Sequence, residues 1–506
     1  MLDQLISPLL FHGTEVPVAS NAELSEFSRV DLNPRPPKVK TEHPPFVLVG
    51  LGPYAQHSYF GFFKKNNIQP SLIIDLEASR KKTNDFLEDV QMDIPCFFVE
   101  TELRDSKQLP LHLKETLKSV LKKHGVTHAI IATEPKAHLA YVEFFIENNI
   151  RALVEKPLTA PTNLVTDIDA SGKILEDYQY IKSLCQKNGI NRDPIEIMCQ
   201  RRYHPVYTFL MDYIGKFIEE FGVRLTYCDI YHCDGMWNMP PEYFTRENHP
   251  YKYGYGKLFH SGYHFMDLLA WLIQINSLDS PGVSDSGEFY AVPFTPQDLM
   301  QAMPSSKHEK LLQSPTSLPL HGNPKDLGEL DFFGLMQLKK GDSTVFTSNI
   351  NLLQTGFSRR SWGELPKDTY KSNGRVRHER INLQFGPLLN IQLHSYQSAE
   401  RRDNSTIPLG EVGSKEHFDL YFFRNSGVIG GEPFAKVSLN DLVDLHKDFK
   451  GCNNLARERC FLSFLYDQPS QSTLEDHSLG ITLLSSAYKA LYHKRNGLSP
   501  TVNFSL

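Results

Sequence analysis

The segment that most constrains the fold is a glycine-rich turn behind a short apolar run. The run FVLV (46–49) leads into Gly50 and Gly52, and roughly residues 54–66 are predicted to be helical. Gly50 permits a tight turn, and Gly52 lets the backbone approach a pyrophosphate at a helix N-terminus. The pattern therefore predicts a nucleotide-binding loop formed by Gly50, Gly52, Pro53, Tyr54 and Ala55.

Strands and helices alternate after this turn. Apolar runs at 70–79, 127–135 and 150–157 are predicted to be strands, and residues 136–149 form a helix between the last two. Such alternation is typical of a doubly wound parallel sheet, so the fold class of this half is a Rossmann domain.

The second half of the chain has a different pattern of apolar and polar residues. Residues 331–353 and 375–396 alternate apolar and polar side chains and are each interrupted by a glycine turn. This pattern predicts a large open, mostly antiparallel sheet in an α+β domain. The predicted units are an N-terminal extension at 1–45, a dinucleotide-binding domain at 46–190, a substrate and oligomerisation domain at 191–480 with an insertion at 277–329, and a C-terminal helix and tail at 481–506.

Composition excludes several classes of partner. The formal net charge of −6 gives no reason to expect nucleic acid, and no apolar run reaches the roughly 18 residues that a membrane span needs. The N-terminus lacks the basic region and cleavage site of a signal peptide. The seven scattered cysteines contain no CxxC motif, which indicates reduced thiols and a cytoplasmic location.

The acidic end of the second predicted strand bears on cofactor choice. A carboxylate at Asp75 can accept hydrogen bonds from the adenosine ribose and repels a 2′-phosphate, which favours NAD over NADP. Arg80 lies nearby and weakens that preference, so NADP stays the alternative cofactor.

Two further segments carry a family resemblance. "THAIIATEP" and "VEKP" place Thr133, Pro135 and His138 before Glu155 and Lys156, while "GYGKLFHSGYHFMDLLAWL" is a glycine turn followed by histidines and an aspartate. Together with "CQRRYHPVY", these motifs resemble the glucose–fructose oxidoreductase / myo-inositol dehydrogenase family over about residues 46–275.

The resemblance implies roles for individual residues. Lys156 of the Glu-Lys-Pro motif would contact both the substrate and the nicotinamide ribose, and His264 matches the catalytic histidine. His260 stands where the family usually has an aspartate, and is expected to join the catalytic set. Thr133, Pro135, His138 and Glu155 would line the cofactor with Lys156.

His260, His264 and Asp267 are spaced i, i+4 and i+7, so a continuous helix would place them on one face. A zinc site is disfavoured because the glutamate of the HExxH motif is missing, and no metal is expected. In the hydride-transfer interpretation, His264 is the general base or a hydrogen-bond donor, and Asp267 orients it or caps backbone groups. All three could instead be buried polar groups that only stabilise the fold.

Candidate substrate contacts come from other segments. Arg201 could clamp substrate oxygens or pair with carboxylates, and Tyr231 and Trp237 could stack on a sugar face or belong to the core. Asp267 completes the expected substrate set.

These features predict an NAD(P)-dependent oxidoreductase acting on a secondary hydroxyl or ketone of a sugar, cyclic polyol or derivative. The alternatives are an NAD-retaining glycoside hydrolase or lyase of the same family type, and a non-enzymatic NAD-dependent sensor. An open sheet with one apolar face also predicts a homodimer or homotetramer.

Overall fold

The structure is a computed structural model. It describes residues 43–187, 193–235, 237–238, 242–246, 249–277, 284–303, 306–307, 310, 323–358, 375–399, 407–445, 449 and 451–506. The predicted N-terminal extension therefore lies outside the described residues except for 43–45.

The first domain is built on a six-stranded, fully parallel sheet. Its strands in chain order are β1 (Phe46–Val49), β2 (Leu72–Leu76), β3 (Cys96–Val99), β4 (His128–Ile131), β5 (Arg151–Glu155) and β6 (Ile195–Met198). Their spatial order is β3-β2-β1-β4-β5-β6, which reverses direction at β1. Ligands of such sheets bind beyond the carboxyl ends of the strands at this reversal.

Helices connect the strands of this sheet. They are α1 (Pro53–Asn66), α2 (Arg80–Asp89), α3 (Leu111–Lys123), α4 (His138–Glu147) and α5 (Ile168–Lys187). The strands β1 and β4 are completely buried, because helices cover both faces of a doubly wound sheet. The predicted Rossmann domain is confirmed. Strand β6 follows residue 190, where the sequence places the domain boundary, so the parallel sheet extends past that position.

The second domain is built on a nine-stranded mixed sheet. Its strands are β7 (Tyr227–Cys233), β8 (Ser286–Phe294), β9 (Asp331–Lys340), β10 (Ser343–Leu353), β11 (Arg375–Phe385), β12 (Leu389–Ala399), β13 (Asp419–Arg424), β14 (Phe434–Ser438) and β15 (Thr501–Ser505). Their order is β14-β13-β12-β11-β7-β10-β9-β8-β15. Only β7 and β10 pair in parallel, so the predicted large and mostly antiparallel sheet is confirmed.

The remaining helices pack around the two sheets. They are α6 (Pro205–Phe221), α7 (Glu242–Thr245), α8 (Tyr263–Ile275), α9 (Pro296–Ala302), α10 (Ser426–Ile429), α11 (Leu439–Leu442), α12 (Cys452–Leu465) and α13 (Ser478–Arg495). Helix α12 returns to the first domain, where Phe461 packs against Phe46 and Phe63. No helix in the described part of the chain is long and apolar enough to cross a membrane.

One prediction about the second half needs correction. The segment 277–329 is expected to be an insertion, but residues 286–294 form β8 and pair with β9 along their whole length. Its proline and glycine content hides the strand, because Gly287 and Pro293 weaken the sequence pattern. The predicted C-terminal tail contains β15, which adds to the edge of the sheet next to β8.

Candidate active site

The glycine turn follows β1 at the reversal point of the parallel sheet. Gly50 has a φ of +90°, and its N–H donates to the carbonyl of Ile74 across 2.8 Å. A Cβ at Gly50 would lie 3.0 Å from the carbonyl oxygen of Ala132 and 3.1 Å from Thr133 Cγ2. Only glycine fits a left-handed backbone pressed against the next turn, which places the β1 and β4 turns side by side.

The start of α1 is open to a ligand. A Cβ at Gly52 would meet nothing within 4 Å, Pro53 occupies the first turn, and no acidic side chain lies in that turn. Ala55 is buried against the sheet. The free N–H groups of a helix N-terminus attract anions, so this turn is able to receive a pyrophosphate.

Asp75 lies at the carboxyl end of β2, as expected. Its carboxylate accepts hydrogen bonds from the Thr83 hydroxyl and from the backbone N–H of Leu76, both across 2.8 Å. Arg80 is engaged elsewhere, because it pairs with Glu77 across 2.6 Å and stacks on the ring of Phe98. The nearby positive charge is therefore largely compensated.

His138 holds two turns together. Its ring lies between the carbonyl oxygens of Thr133 and Pro157, at 3.1 and 3.0 Å, and the side chain is completely buried. Burial lowers the pKa of His138 to about 4, so the ring is neutral. The prediction that His138 contacts the cofactor is corrected by this position, while Thr133 and Pro135 remain partly exposed at the edge of the sheet.

Glu155 is the last residue of β5, and Lys156 follows it at the same edge of the sheet. Glu155 accepts a hydrogen bond from the Tyr59 hydroxyl across 2.7 Å, and burial raises its pKa. Lys156 Nζ donates to the backbone carbonyl of His260 across 2.5 Å. Burial lowers the pKa of Lys156 to about 8, since the ammonium loses hydration that the neighbouring Glu155 only partly replaces.

His260 lies in a π-helical turn, Leu258–Gly262, that precedes α8. The N–H of Gly262 reaches back to the carbonyl of Lys257 across 2.8 Å. The segment is therefore not one continuous α-helix, and the rings of His260 and His264 meet different partners, Pro250 and Cys199. The His260 ring contacts the carbonyl of Pro250 at 3.1 Å and is 3% exposed, and only its backbone carbonyl reaches Lys156. A catalytic role of the His260 ring is therefore not supported.

His264 lies in the first turn of α8 with its Nδ1 atom 3.5 Å from Cys199 Sγ. Burial and the positive charges of Lys156 and Arg201 hold the pKa of His264 well below its usual range, so the imidazole is neutral. Among the expected catalytic side chains, Lys156 lies near enough to His264 for its positive charge to lower the pKa of the imidazole.

Asp267 is bound to the protein itself. Its carboxylate accepts three hydrogen bonds of 2.9 to 3.2 Å from Arg202 and lies 2.9 Å from His477 Nδ1. The positive charge of Arg202 holds the pKa of Asp267 far below its usual range despite burial. Its partners therefore favour the structural role that the sequence left open for Asp267 over contact with substrate. Cys199, Asp267 and His477 converge closely enough to hold a metal, but the Arg202 guanidinium already occupies this carboxylate and would repel a cation.

Arg201 is also committed within the protein. Its two Nη atoms donate to Glu379 across 3.0 and 3.1 Å, and its guanidinium lies between the rings of Tyr207 and Phe265. Glu379 comes from β11 and is buried, and Arg201 holds its pKa far below the usual range. The expected substrate clamp is replaced by a buried, bidentate pair that joins the two domains.

The two aromatic candidates lie at the open side of the second sheet. Tyr231 is partly buried on β7, where its ring contacts His378 and the guanidinium of Arg380 lies 4.7 Å from its centre. Trp237 follows β7 and is partly exposed. Tyr231 shares the sheet face of Leu335 and Tyr290, whereas His232 on the other face stacks on Phe265 of α8. Substrate contact by Tyr231 next to His264 is therefore not supported, and Trp237 stays the aromatic candidate.

Known structures share this architecture, although no protein-family model and no curated protein matches the chain. An oxidoreductase from Agrobacterium radiobacter in complex with NAD+, L-tartaric acid and magnesium is 12% identical, with a TM-score of 0.53, over 91% of this chain and 98% of that one. An aldose-aldose oxidoreductase from Caulobacter crescentus complexed with glycerol is 12% identical, with a TM-score of 0.52, over 92% and 100%. The WlbA dehydrogenase from Bordetella pertussis in complex with NADH and UDP-GlcNAcA is 14% identical, with a TM-score of 0.51, over 92% and 99%.

The chain has the two-domain fold of these oxidoreductases. Within that fold, α12 contributes a residue that no motif indicates. Arg457 lies 5.6 Å from the ring centre of Tyr54 in the phosphate loop, and its charge lowers the pKa of both Lys156 and His264. Its Nε atom is buried without a partner. The sequence separation of Arg457 from the loop explains why spacing alone could not find it.

Cys199 and Glu379 were also missed as members of the site. Cys199 comes directly after a buried apolar strand, and Glu379 is one of several charged residues in β11, so the sequence pattern assigns neither of them a role. Their importance comes from contacts with His264, Asp267 and Arg201, which are distant in the chain.

Proposed function

We propose that this protein is an NAD(P)-dependent oxidoreductase that transfers hydride between a nicotinamide cofactor and a secondary hydroxyl or ketone of a sugar, cyclic polyol or derivative. One observation carries this conclusion. Lys156 follows β5 of the Rossmann sheet, donates to the His260 carbonyl, and lowers the pKa of the His264 imidazole by its charge, which supports a site that combines an ammonium with a neutral imidazole. Alcohol oxidation needs such a pair, since a hydroxyl proton must leave together with hydride.

The residues present fit a dinucleotide. Gly50 and Gly52 leave the loop open, and the first turn of α1 carries no acidic side chain that would repel a pyrophosphate. Arg457 adds a positive charge beside this loop, which compensates the negative charge of the phosphates. When bound, the nicotinamide supplies the acceptor for hydride. The position of Asp75 and the pairing of Arg80 with Glu77 favour NAD over NADP.

His264 accepts the hydroxyl proton in this proposal, because its imidazole is neutral at physiological pH. Lys156 stabilises the negative charge that develops on the substrate oxygen. One N–H of its ammonium donates to the His260 carbonyl, and another N–H can donate to this oxygen. Because Arg201 and Asp267 are committed to buried pairs, Trp237 and neighbouring groups are the remaining candidates for contact with the rest of the substrate.

The substrate class follows from the site and from the fold. Lys156 and His264 recognise one oxygen and carry no fixed negative charge, which suits a neutral hydroxyl compound. Structures with the same fold are named for aldoses and contain glycerol or a nucleotide sugar, which supports a polyhydroxylated substrate.

We also infer a homodimer or homotetramer formed through the open face of the nine-stranded sheet. Tyr290, Leu335, Phe423 and Phe434 expose 40, 40, 42 and 51% of their surface there. Large apolar side chains grouped on one sheet face are typical of a subunit interface. All seven cysteines are free thiols, which supports the cytoplasmic location expected from the sequence.

The function is tested by NADH formation from NAD with a panel of cyclic polyols and sugars. Wild-type protein should reduce NAD with at least one of them, and Lys156→Ala should lower the rate at least 100-fold. A rate that survives in the variant contradicts the role of Lys156. Tight NAD retention without turnover would instead favour the NAD-retaining hydrolase or lyase, and next the sensor.

A further inference from the structure

The side chain of Cys199 lies between those of His264 and Asp267 in α8. It follows β6, is completely buried, and places its Sγ atom 3.5 Å from His264 Nδ1 and 3.2 Å from Asp267 Oδ2. No motif in the sequence assigns it a role. The thiol is the only group that connects the carboxylate with the imidazole in the described contacts of either residue.

The carboxylate of Asp267 is held in place by other groups of the protein. Arg202 binds its carboxylate through Nε and Nη2, and Arg202 is itself held by the carbonyl oxygens of Gln471 and Asp476. A carboxylate held in this way stays ionised and accepts hydrogen bonds only. The Cys199 thiol must therefore donate its single proton to Asp267.

The direction of the second contact follows from counting protons. Once its proton points at Asp267, Cys199 Sγ offers only lone pairs to His264. The neutral imidazole then places its proton on Nδ1 and donates it to the sulfur, which leaves Nε2 unprotonated. An unprotonated Nε2 is the form that accepts a proton from a substrate hydroxyl.

We propose that Cys199 is a positioning residue that fixes His264 in the Nδ1–H tautomer by relaying the negative charge of Asp267. The inference rests on the proposed function for its catalytic consequence, but the tautomer exists independently of turnover. His260 stands where the resembling family usually has an aspartate. In this proposal the Asp267 carboxylate takes the place of that aspartate, and it acts on His264 through the Cys199 thiol.

Three variants distinguish a hydrogen-bonding role of the Cys199 thiol from a role in packing alone. Cys199→Ser keeps a group that donates to Asp267 and accepts from His264, whereas Cys199→Val fills similar space and does neither. Cys228→Val is the matched control, since Cys228 is also completely buried but contacts neither residue in the described structure. The expected result is a kcat reduced about 10- to 100-fold in Cys199→Val with KM changed less than threefold. Cys199→Ser should stay within about threefold of wild type, as should Cys228→Val.

The tautomer is read directly by two-dimensional NMR of protein labelled with ¹⁵N-histidine, with the His264 signals assigned from a His264→Gln variant. Wild type and Cys199→Ser should show a protonated Nδ1, and Cys199→Val should lose it. An Nε2–H tautomer in wild type, or an unchanged His264 in Cys199→Val, would overturn the proposal. This readout stands even where no polyol is oxidised, so failure of the relay and failure of the proposed function are distinguished.

Discussion

Lys156 Nζ donates a hydrogen bond to the backbone carbonyl of His260 across 2.5 Å. The contact joins the last residues of β5 in the first domain to the π-helical turn of the second domain. It brings Lys156 close enough for its charge to lower the pKa of His264. The chemistry proposed here therefore depends on how the two domains meet, and not on either domain alone.

The pH dependence of oxidation should report Lys156. Burial lowers its pKa to about 8, so the ammonium that stabilises the developing alkoxide is present below pH 8 and is lost above it. We expect kcat/KM for polyol oxidation to fall as pH rises through about 8. Lys156→Arg, which keeps its charge at every pH tested, should lack this fall. A rate that instead rises through pH 8 would show that neutral Lys156 acts as the base.

The pair of Arg202 and Asp267 should matter strongly for stability. Both side chains are 2% exposed, so Arg202→Met would leave a buried carboxylate without compensation, at a cost of about 3–5 kcal/mol in the free energy of unfolding. Arg202→Met combined with Asp267→Leu should recover much of that loss. Lys173→Ala is the control, because Lys173 is 48% exposed and its pairs contribute at most about 1 kcal/mol. Urea denaturation measures all three, and equal losses for Arg202→Met and Lys173→Ala would be incompatible with this prediction.

Arg457 should contribute to cofactor affinity. Arg457→Met removes a charge next to Tyr54 of the phosphate loop, so we expect the dissociation constant of NAD to rise about tenfold, a loss near 1.4 kcal/mol. Lys64→Met removes the same charge in the last turn of α1, away from its N-terminus, and should change the constant less than twofold. Isothermal titration with NAD makes the comparison. An unchanged affinity in Arg457→Met would exclude this residue from the cofactor site.

Gly262 should be required by the π-helical turn. A Cβ at this position would lie 2.6 Å from the carbonyl oxygen of Lys257, so Gly262→Ala must displace the turn that presents the His260 carbonyl to Lys156. We expect a loss of roughly 1–3 kcal/mol in the free energy of unfolding. Gly61→Ala, in α1 with open space around its Cβ position, should instead be neutral or stabilising by up to about 1 kcal/mol. Thermal unfolding of the two variants checks the prediction, which fails if they behave alike.

Much of the fold could be predicted because its signals are local. The glycine turn, the apolar strands of the parallel sheet and the hairpins β9–β10 and β11–β12 each appear as a short pattern of residues. Strand β8 could not be predicted in this way, because its place depends on pairing with β9, which lies far along the chain. Gly287 and Pro293 also weaken the alternation of apolar and polar residues in β8.

The candidate site has local signals in part. Lys156 and His264 belong to motifs, and the charge of Lys156 lowers the pKa of His264. For Arg201 and Asp267 the sequence leaves open a contact with substrate or a partner within the protein, and in the structure Glu379 and Arg202 bind them. A single sequence does not show which buried partner each charge will meet.

The most direct test of hydride transfer follows the hydrogen itself. The substrate is a cyclic polyol or sugar that supports NADH formation and carries deuterium on its carbinol carbons. The mass of the reduced cofactor is then measured by mass spectrometry. Direct transfer at the Lys156 and His264 site predicts NADH that is one mass unit heavier than NADH formed from unlabelled substrate. The Lys156→Ala variant should give no labelled NADH, because it forms no product. Reduced cofactor without deuterium, or labelled cofactor at an undiminished rate in Lys156→Ala, would contradict the account.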